Sequence, residues 1–112
     1  MQMYACQQIG KNFKSPNASE FKGVQNIQRE YTSLKINKEE RLLFQKIGFD
    51  ASKDGLVDGS LMVYPTQTAQ MASEFEKLLA IGKLNVTQSA IVKNIIKFLA
   101  ICFDSNYIVR FY

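Results

Sequence analysis

The sequence contains no histidine, and this absence excludes several kinds of site. Serine or cysteine nucleophiles activated by histidine, histidine general bases and the usual zinc sites all need that side chain. The two cysteines, Cys6 and Cys102, are too few for a metal site made of cysteine alone. The glycine motifs that bind phosphate, GxGxxG and GxxxxGK[ST], do not occur. We therefore expect no cofactor, no metal and no enzymatic activity.

The two cysteines are also too few and too far apart for a disulfide framework, and they form no CxxC pair. The first residues, "MQMYACQQIGKNFK", contain no apolar run of signal-peptide length. Both features favour a reducing, cytoplasmic setting. With 112 residues, 46% hydrophobic and 21% charged, the sequence predicts one ordered domain over residues 1–112.

Apolar residues at helical spacing and capping signals predict four helices. Asn17, Asn37 and Asn85 are each followed three residues later by Glu or Gln, which is the capping-box pattern. Glycines at Gly48 and Gly82 fit helix ends. The predicted helices lie at about 17–34, 38–47, 66–81 and 86–103.

Two segments rich in β-branched and aromatic residues predict strands, namely "SLMVY" (60–64) and "YIVRFY" (107–112). Residues 2–8 are a candidate third strand. Runs of helices, rather than strict alternation of strand and helix, argue against a doubly wound fold. The sequence thus predicts a compact α+β domain with about four helices packed on a small two- or three-stranded sheet.

The last predicted helix is the most apolar segment of the chain. Its apolar run from Ile91 to Phe103 is shorter than the roughly 20 residues that span a bilayer, and it contains Lys93 and Lys97. Apolar residues cover most of its circumference, which is typical of a central helix packed on several sides. We therefore expect a core helix and no contact with a membrane.

"DASKDGLVDGSL" (50–61), after the predicted helix "ERLLFQKIGF", resembles an EF-hand calcium loop. Asp50, Ser52 and Asp54 match loop positions 1, 3 and 5, with Gly55 at the sharp turn. Position 12, which needs a bidentate glutamate, holds Leu61, and a strand replaces the exiting helix. A turn-rich loop without calcium is the favoured interpretation.

The C-terminal strand carries three residues of types that are enriched in protein interfaces, namely Tyr107, Arg110 and Tyr112. If this strand lay at a sheet edge, its unpaired backbone would accept a partner chain or a second copy of the protein. If it lay inside the sheet, it would pair with the "SLMVY" strand or with the N-terminal segment. The sequence leaves both arrangements open.

The excess positive charge of the chain, formally +4, lies in the first third. Lys11, Lys14, Lys22 and Arg29 are candidate phosphate contacts, and the neighbouring Phe13 is suited to stacking on a base. No sequence signature of a nucleic-acid-binding module is present. This basic segment therefore supports only an alternative function.

The absence of a catalytic motif and the interface-type residues favour a non-catalytic protein-binding module. We expect a small bacterial inhibitor or immunity-type protein whose partner is another protein, such as a toxin or effector, or a second copy joined through an edge strand. The alternative is a basic nucleic-acid-binding or regulatory domain that uses the N-terminal third. An enzyme built on acid pairs such as Glu39 and Glu40 is least favoured, because acids in the first turn of a helix are stabilised by its dipole.

Overall fold

A computed structural model describes residues 2–28, 32–49 and 61–111 of the chain. The EF-hand-like segment, Arg29 and Tyr112 lie outside these ranges. The strands are β1 (Gln2–Ile9), β2 (Asn12–Lys14), β3 (Ile27–Gln28), β4 (Ser33–Lys35), β5 (Leu61–Val63) and β6 (Ile108–Phe111). The α-helices are α1 (Lys38–Lys46), α2 (Pro65–Ile81) and α3 (Val86–Asp104), and a short 3₁₀ helix covers Ala18–Phe21.

The described strands form one antiparallel sheet in the order β3-β4-β1-β6-β5, with β2 paired to the end of β1. Tyr4 of β1 lies opposite Arg110 of β6, which in turn lies opposite Met62 of β5. Because paired residues of antiparallel strands point to the same face, these three side chains share one side of the sheet. Their neighbours along each strand point to the other side.

The three helices cover that other side and build the hydrophobic core with it. Met3, Val109 and Phe111 of the sheet are 0% exposed and belong to one apolar cluster with residues of all three helices. The rings of Phe44 (α1) and Phe75 (α2) meet edge to face with their centroids 5.0 Å apart, and Phe44 meets Phe111 in the same way at 5.7 Å. Edge-to-face contact is a favoured geometry for aromatic pairs.

The helix α3 is the main core helix, as the sequence predicts. Five of its residues are 0% exposed, namely Val92, Ile95, Phe98, Leu99 and Cys102. By length and composition alone α3 could also cross a membrane, with a mean hydropathy of 1.4, but core helices of globular proteins pass the same test. It packs against α2 and β6, and 28% of its apolar stretch is buried.

The predicted first helix, 17–34, is wrong. Asn17 does accept a hydrogen bond from the backbone N–H of Ser19, at 3.0 Å, but the turn that it caps is a 3₁₀ helix of four residues. Gly23 and Asn26 then take positive φ angles of 85° and 63°, which an α-helix cannot contain. The rest of the segment forms β3 and β4, which extend the sheet beside β1.

The fold is therefore α+β, as predicted, but the described residues contain three α-helices instead of about four, and six strands instead of two or three. The strand β6 lies between β1 and β5, so the edge interpretation of the C-terminal strand is wrong. Since its backbone is already paired on both sides, β6 cannot join a second copy by strand addition.

The capping box of α3 gives a testable stability effect. The side chain of Asn85 accepts a hydrogen bond from the backbone N–H of Gln88 at 2.7 Å, and the side-chain oxygen of Gln88 accepts one from the backbone N–H of Asn85 at 3.2 Å. We expect Asn85→Ala to lower the free energy of unfolding by about 1 kcal/mol, because the backbone N–H of Gln88 loses its side-chain acceptor. Urea denaturation would measure this loss. A loss no larger than that of Thr87→Ala, an exposed neighbour, would contradict it.

Candidate binding face

The side of the sheet opposite the helices carries a group of mixed aromatic, apolar and cationic side chains. We call it the open face and define it by Tyr4, Cys6, Phe13, Met62 and Arg110. Neither Tyr4 nor Arg110 belongs to the apolar cluster that contains the helices. Phe13 is 40% exposed and Met62 is 36% exposed, so part of this face meets solvent.

A groove of about 300 Å³ opens on this face, between the β1–β2 hairpin and β6. The antiparallel pairing of β2 with β1 sets Phe13 opposite Gln8, on the same side as Tyr4 and Cys6 by strand alternation. The hairpin thereby forms one wall of the groove. Its lining residues are Tyr4, Ala5, Cys6, Phe13, Lys14, Ser15 and Arg110.

Arg110 connects the two walls of the groove. The carbon atom of its guanidinium lies 4.9 Å from the centre of the Phe13 ring, within the range of a cation–π contact. The ring attracts the cation through its quadrupole and restricts the long side chain to a few positions. Arg110 is thus held in place at the sheet surface, which reduces the entropy lost when it binds a further group.

Polar contacts also hold Tyr4 in position. Its hydroxyl donates to the side-chain oxygen of Gln2, and the amide of Gln2 donates to Oε1 of Gln28 at 3.3 Å. The Ser33 hydroxyl donates to the same oxygen of Gln28, also at 3.3 Å. These bonds connect three neighbouring strands across the open face.

Cys6 lies at the bottom of the groove and is 5% exposed. Its thiol donates to the backbone carbonyl oxygen of Ile108 at 3.4 Å. Burial raises the pKa of the Cys6 thiol, and the charge of Arg110 opposes this only in part. Burial also raises the pKa of Cys102. Both thiols therefore stay protonated at neutral pH, which does not suit a nucleophile.

The structure separates the three predicted partner-binding residues. Tyr107 is 8% exposed and packs in the core, where its hydroxyl donates to the carboxylate of Glu20. Arg110 points to the side of the sheet away from the helices and is partly exposed. Tyr112 lies outside the described residues. Of the three, Arg110 is the one that the structure brings to the open face.

The four predicted phosphate contacts are also separated. Lys14 lines the groove, and Lys11 lies in the exposed turn before β2. Lys22 follows the 3₁₀ helix, which packs on α3 through Phe21 and Phe98 with ring centroids 5.2 Å apart. Arg29, the fourth candidate, lies outside the described residues. Lys14 thus contributes to the lining of the groove that Arg110 enters, but it lies opposite Gln7 in the register, so by strand alternation its side chain points away from Phe13.

Sequence reasoning missed Tyr4 and Met62 as members of the site and treated Phe13 only as a possible base-stacking residue. A usable signal was present, because strand alternation already separates Tyr107, Val109 and Phe111 from Arg110. The missing information was the pairing of β6 with β1 and β5, which sets Tyr4 and Met62 beside Arg110.

In the described part of the chain, no group of three or more Cys, Asp or Glu residues is arranged to hold a metal ion. The described residues that line the groove include Arg110, Lys14, the buried thiol of Cys6 and neutral side chains. Among the described residues that line it, none is a carboxylate or imidazole that could act as a general base. Comparisons with family models, curated proteins and solved structures found no match.

The Tyr107 hydroxyl provides a test of the residue's structural role. The bond to Glu20 raises the pKa of Tyr107, so the folded state favours the protonated phenol. We expect Tyr107→Phe to lower the free energy of unfolding by about 1 kcal/mol at pH 7. In the unmodified protein this contribution is present below the ordinary tyrosine pKa of about 10 and is lost as pH rises through the higher folded value.

Urea unfolding of both proteins between pH 7 and pH 11 would measure this difference. The difference in the free energy of unfolding between the unmodified protein and Tyr107→Phe should shrink as the pH rises above 10. A gap that stays constant or widens at high pH would show that the hydroxyl bond does not stabilise the fold.

Proposed function

We propose that this protein is a non-catalytic protein-binding module that acts by forming a complex with another protein through the open face. The mode of action would be that of a small inhibitor or an immunity-type protein, with a bacterial toxin or effector as the partner class. The observation that carries the proposal is the convergence of Arg110, Phe13 and Tyr4 on one groove. A cytoplasmic location belongs to the same proposal and is supported by two cysteines that are both free and buried.

The residue types of the open face support a protein partner. Arginine and tyrosine dominate interface hot spots, and methionine and phenylalanine are enriched at interfaces. Arg110 is already oriented by Phe13, and Tyr4 by Gln2, so ordering these side chains on binding costs little. A β-sheet also gives such residues a rigid base, which favours a specific complex.

The proposal is tested by gentle affinity capture of the tagged protein from its native cells, with mass spectrometry of the eluate. The comparison uses the variant Met62→Glu, which places an acid on the open face. Met62 is 36% exposed and lies outside the core, so the fold should be kept. We expect one stoichiometric protein with the unmodified chain and its loss with Met62→Glu. Equal capture by both proteins, or no specific protein with either, would contradict the proposal.

One observation favours nucleic-acid binding as a second candidate function. The exposed ring of Phe13 lies against Arg110 and is followed in the chain by the exposed Lys14, and aromatic rings next to basic residues bind single strands. Two phosphate contacts predict a slope of about −1.4 for the logarithm of affinity against the logarithm of salt concentration. The ultraviolet absorbance ratio of the captured eluate and a salt titration with single-stranded DNA would test this function. A protein eluate free of nucleic acid would exclude it.

A further inference from the structure

We propose that the end of the β1–β2 hairpin inserts into a cleft of the partner protein that has apolar walls and acidic side chains. We call this segment, residues 7–14, the arm. The inference rests on the proposed function and adds the shape and the charge of the partner's binding site. It assigns Ile9 and Phe13 to the two walls of the cleft, and Lys11 and Lys14 to its acidic groups.

The arm extends beyond the main sheet. The strand β6 pairs with β1 from Met3 to Cys6, and β2 pairs with the residues of β1 that follow. Every residue of the arm is exposed. Its two-residue turn contains Gly10 with a φ angle of 62°, a conformation that glycine adopts readily in tight hairpins. A narrow segment exposed along its whole length suits a concave surface, as do the long loops that nanobodies insert into their targets.

Exposed apolar side chains lie on both faces of the arm. Phe13 lies opposite Gln8 and Ile9 lies opposite Asn12, so strand alternation places Phe13 on the open face and Ile9 on the helix side. Phe13 is 40% exposed and Ile9 is 54% exposed. A flat partner surface on the open face would cover Phe13 and leave Ile9 in water. A cleft with two apolar walls covers both side chains and removes more apolar surface from water.

The charge of the arm defines the polar part of the cleft. Lys11 lies in the turn, and Lys14 lies opposite Gln7, on the same face as Ile9. The arm itself contains no acid, and the first acid of the chain is Glu20. Acidic side chains in the cleft are complementary to these two lysines. Such complementarity speeds association and fixes the orientation of the bound segment.

The base of the arm is fixed before binding. A two-stranded hairpin alone is only marginally stable in water, but here one of its strands continues into the sheet as β1. The ring of Phe13 also lies 4.9 Å from the guanidinium carbon of Arg110. Both contacts restrict the arm in the free protein, so inserting it into a cleft costs less conformational entropy.

A DNA groove fits the arm less well than a protein cleft. The major groove admits a two-stranded β-ribbon, but it is bordered by phosphates along both sides. A ribbon placed there would bring Ile9 and Phe13 beside charged groups, where neither side chain gains an apolar contact. Two lysines also neutralise only two phosphates, which supports weak and salt-sensitive binding.

The first test compares variants by isothermal titration of the partner obtained by capture. We expect Ile9→Ser to weaken the complex by about 5- to 10-fold, because the apolar contact with the second wall is lost. The matched control is Leu42→Ser on α1, which is 56% exposed and should leave the affinity within about twofold. An interface limited to the open face predicts no effect of Ile9→Ser, so equal affinities for Ile9→Ser and Leu42→Ser would overturn the inference.

A second variant tests the charge of the cleft. We expect Lys11→Glu to weaken the complex by about 10-fold, mainly through slower association, and the loss should decrease as salt is added. Lys97→Glu on α3 makes the same change in net charge at another exposed position and should have a much smaller effect. Equal losses for the two variants would show that only net charge matters, which would contradict insertion of the arm.

The remaining outcomes separate the inference from the proposed function. If Arg110→Ala weakens the complex but neither Ile9→Ser nor Lys11→Glu does, the inference fails while the proposed function stands. If no protein is captured, the proposed function fails and the inference fails with it. If a short DNA duplex binds more tightly than any captured protein and Lys11→Glu abolishes that binding, the arm is a nucleic-acid contact and the inference is overturned.

Discussion

Replacing Arg110 with alanine is expected to weaken the complex with the captured partner by about 30-fold or more. Arginine at the centre of an interface commonly contributes about 2 kcal/mol or more when truncated. Arg110 has the features of such a residue, since it is partly buried, held by the Phe13 ring and placed between Tyr4 and Met62. Isothermal titration of the purified partner would measure the change.

Two further variants separate charge from geometry. Arg110→Lys keeps the charge but loses the planar guanidinium, so we expect it to recover only part of the affinity. Lys97→Ala removes one positive charge from α3, on the other side of the sheet, and should leave the affinity within about twofold. Equal losses for Arg110→Ala and Lys97→Ala would show that only net charge matters and that the open face is not the interface.

The largest expected effect on stability is that of Phe44→Ala, with a loss of about 3 to 5 kcal/mol in the free energy of unfolding. Phe44 is 1% exposed, and its ring contacts those of Phe49, Phe75 and Phe111 at centroid distances of 5.9, 5.0 and 5.7 Å. Its removal would leave a cavity where α1, α2 and β6 meet. Such a loss is a large part of the usual stability of a domain, about 5 to 15 kcal/mol.

The matched control for Phe44→Ala is Leu42→Ala on the same helix. Leu42 is 56% exposed, so its replacement should change stability by no more than about 0.5 kcal/mol. Chemical denaturation of both variants would give the two values. A Phe44→Ala loss below about 1 kcal/mol would contradict the position of this residue at the centre of the core.

The helices α1, α2 and α3 were predictable because local signals define them. Asn37 and Asn85 cap their helices with side-chain bonds of 2.8 and 2.7 Å to the backbone N–H three residues ahead, as the sequence pattern implies. The segment 17–34 shows the limit of this reasoning. Its apolar residues fit a helical period, but positive φ angles at Gly23 and Asn26 and pairing with β1 decide the structure, and neither is visible in local spacing.

The open face was predictable only in part, because it depends on strand pairing between distant segments. Arg110 was identified from its residue type, and alternation separates its side of β6 from that of Tyr107. The adjacent Tyr4 lies more than a hundred residues earlier in the chain, and Phe13 reaches the site through the β1–β2 hairpin. Nothing in the sequence alone fixes these registers, so the contact of Phe13 with Arg110 could not be inferred from it.

The central claim, that the open face binds the partner, is tested most directly by ¹³C-methyl NMR of the methionines while purified partner is added. Met62 is 36% exposed on the open face, whereas Met3 and Met71 are 0% and 7% exposed in the core and serve as internal controls. The account predicts that the Met62 methyl signal shifts in proportion to the bound fraction while those of Met3 and Met71 change little. A bound complex in which the Met62 signal stays unchanged would contradict it.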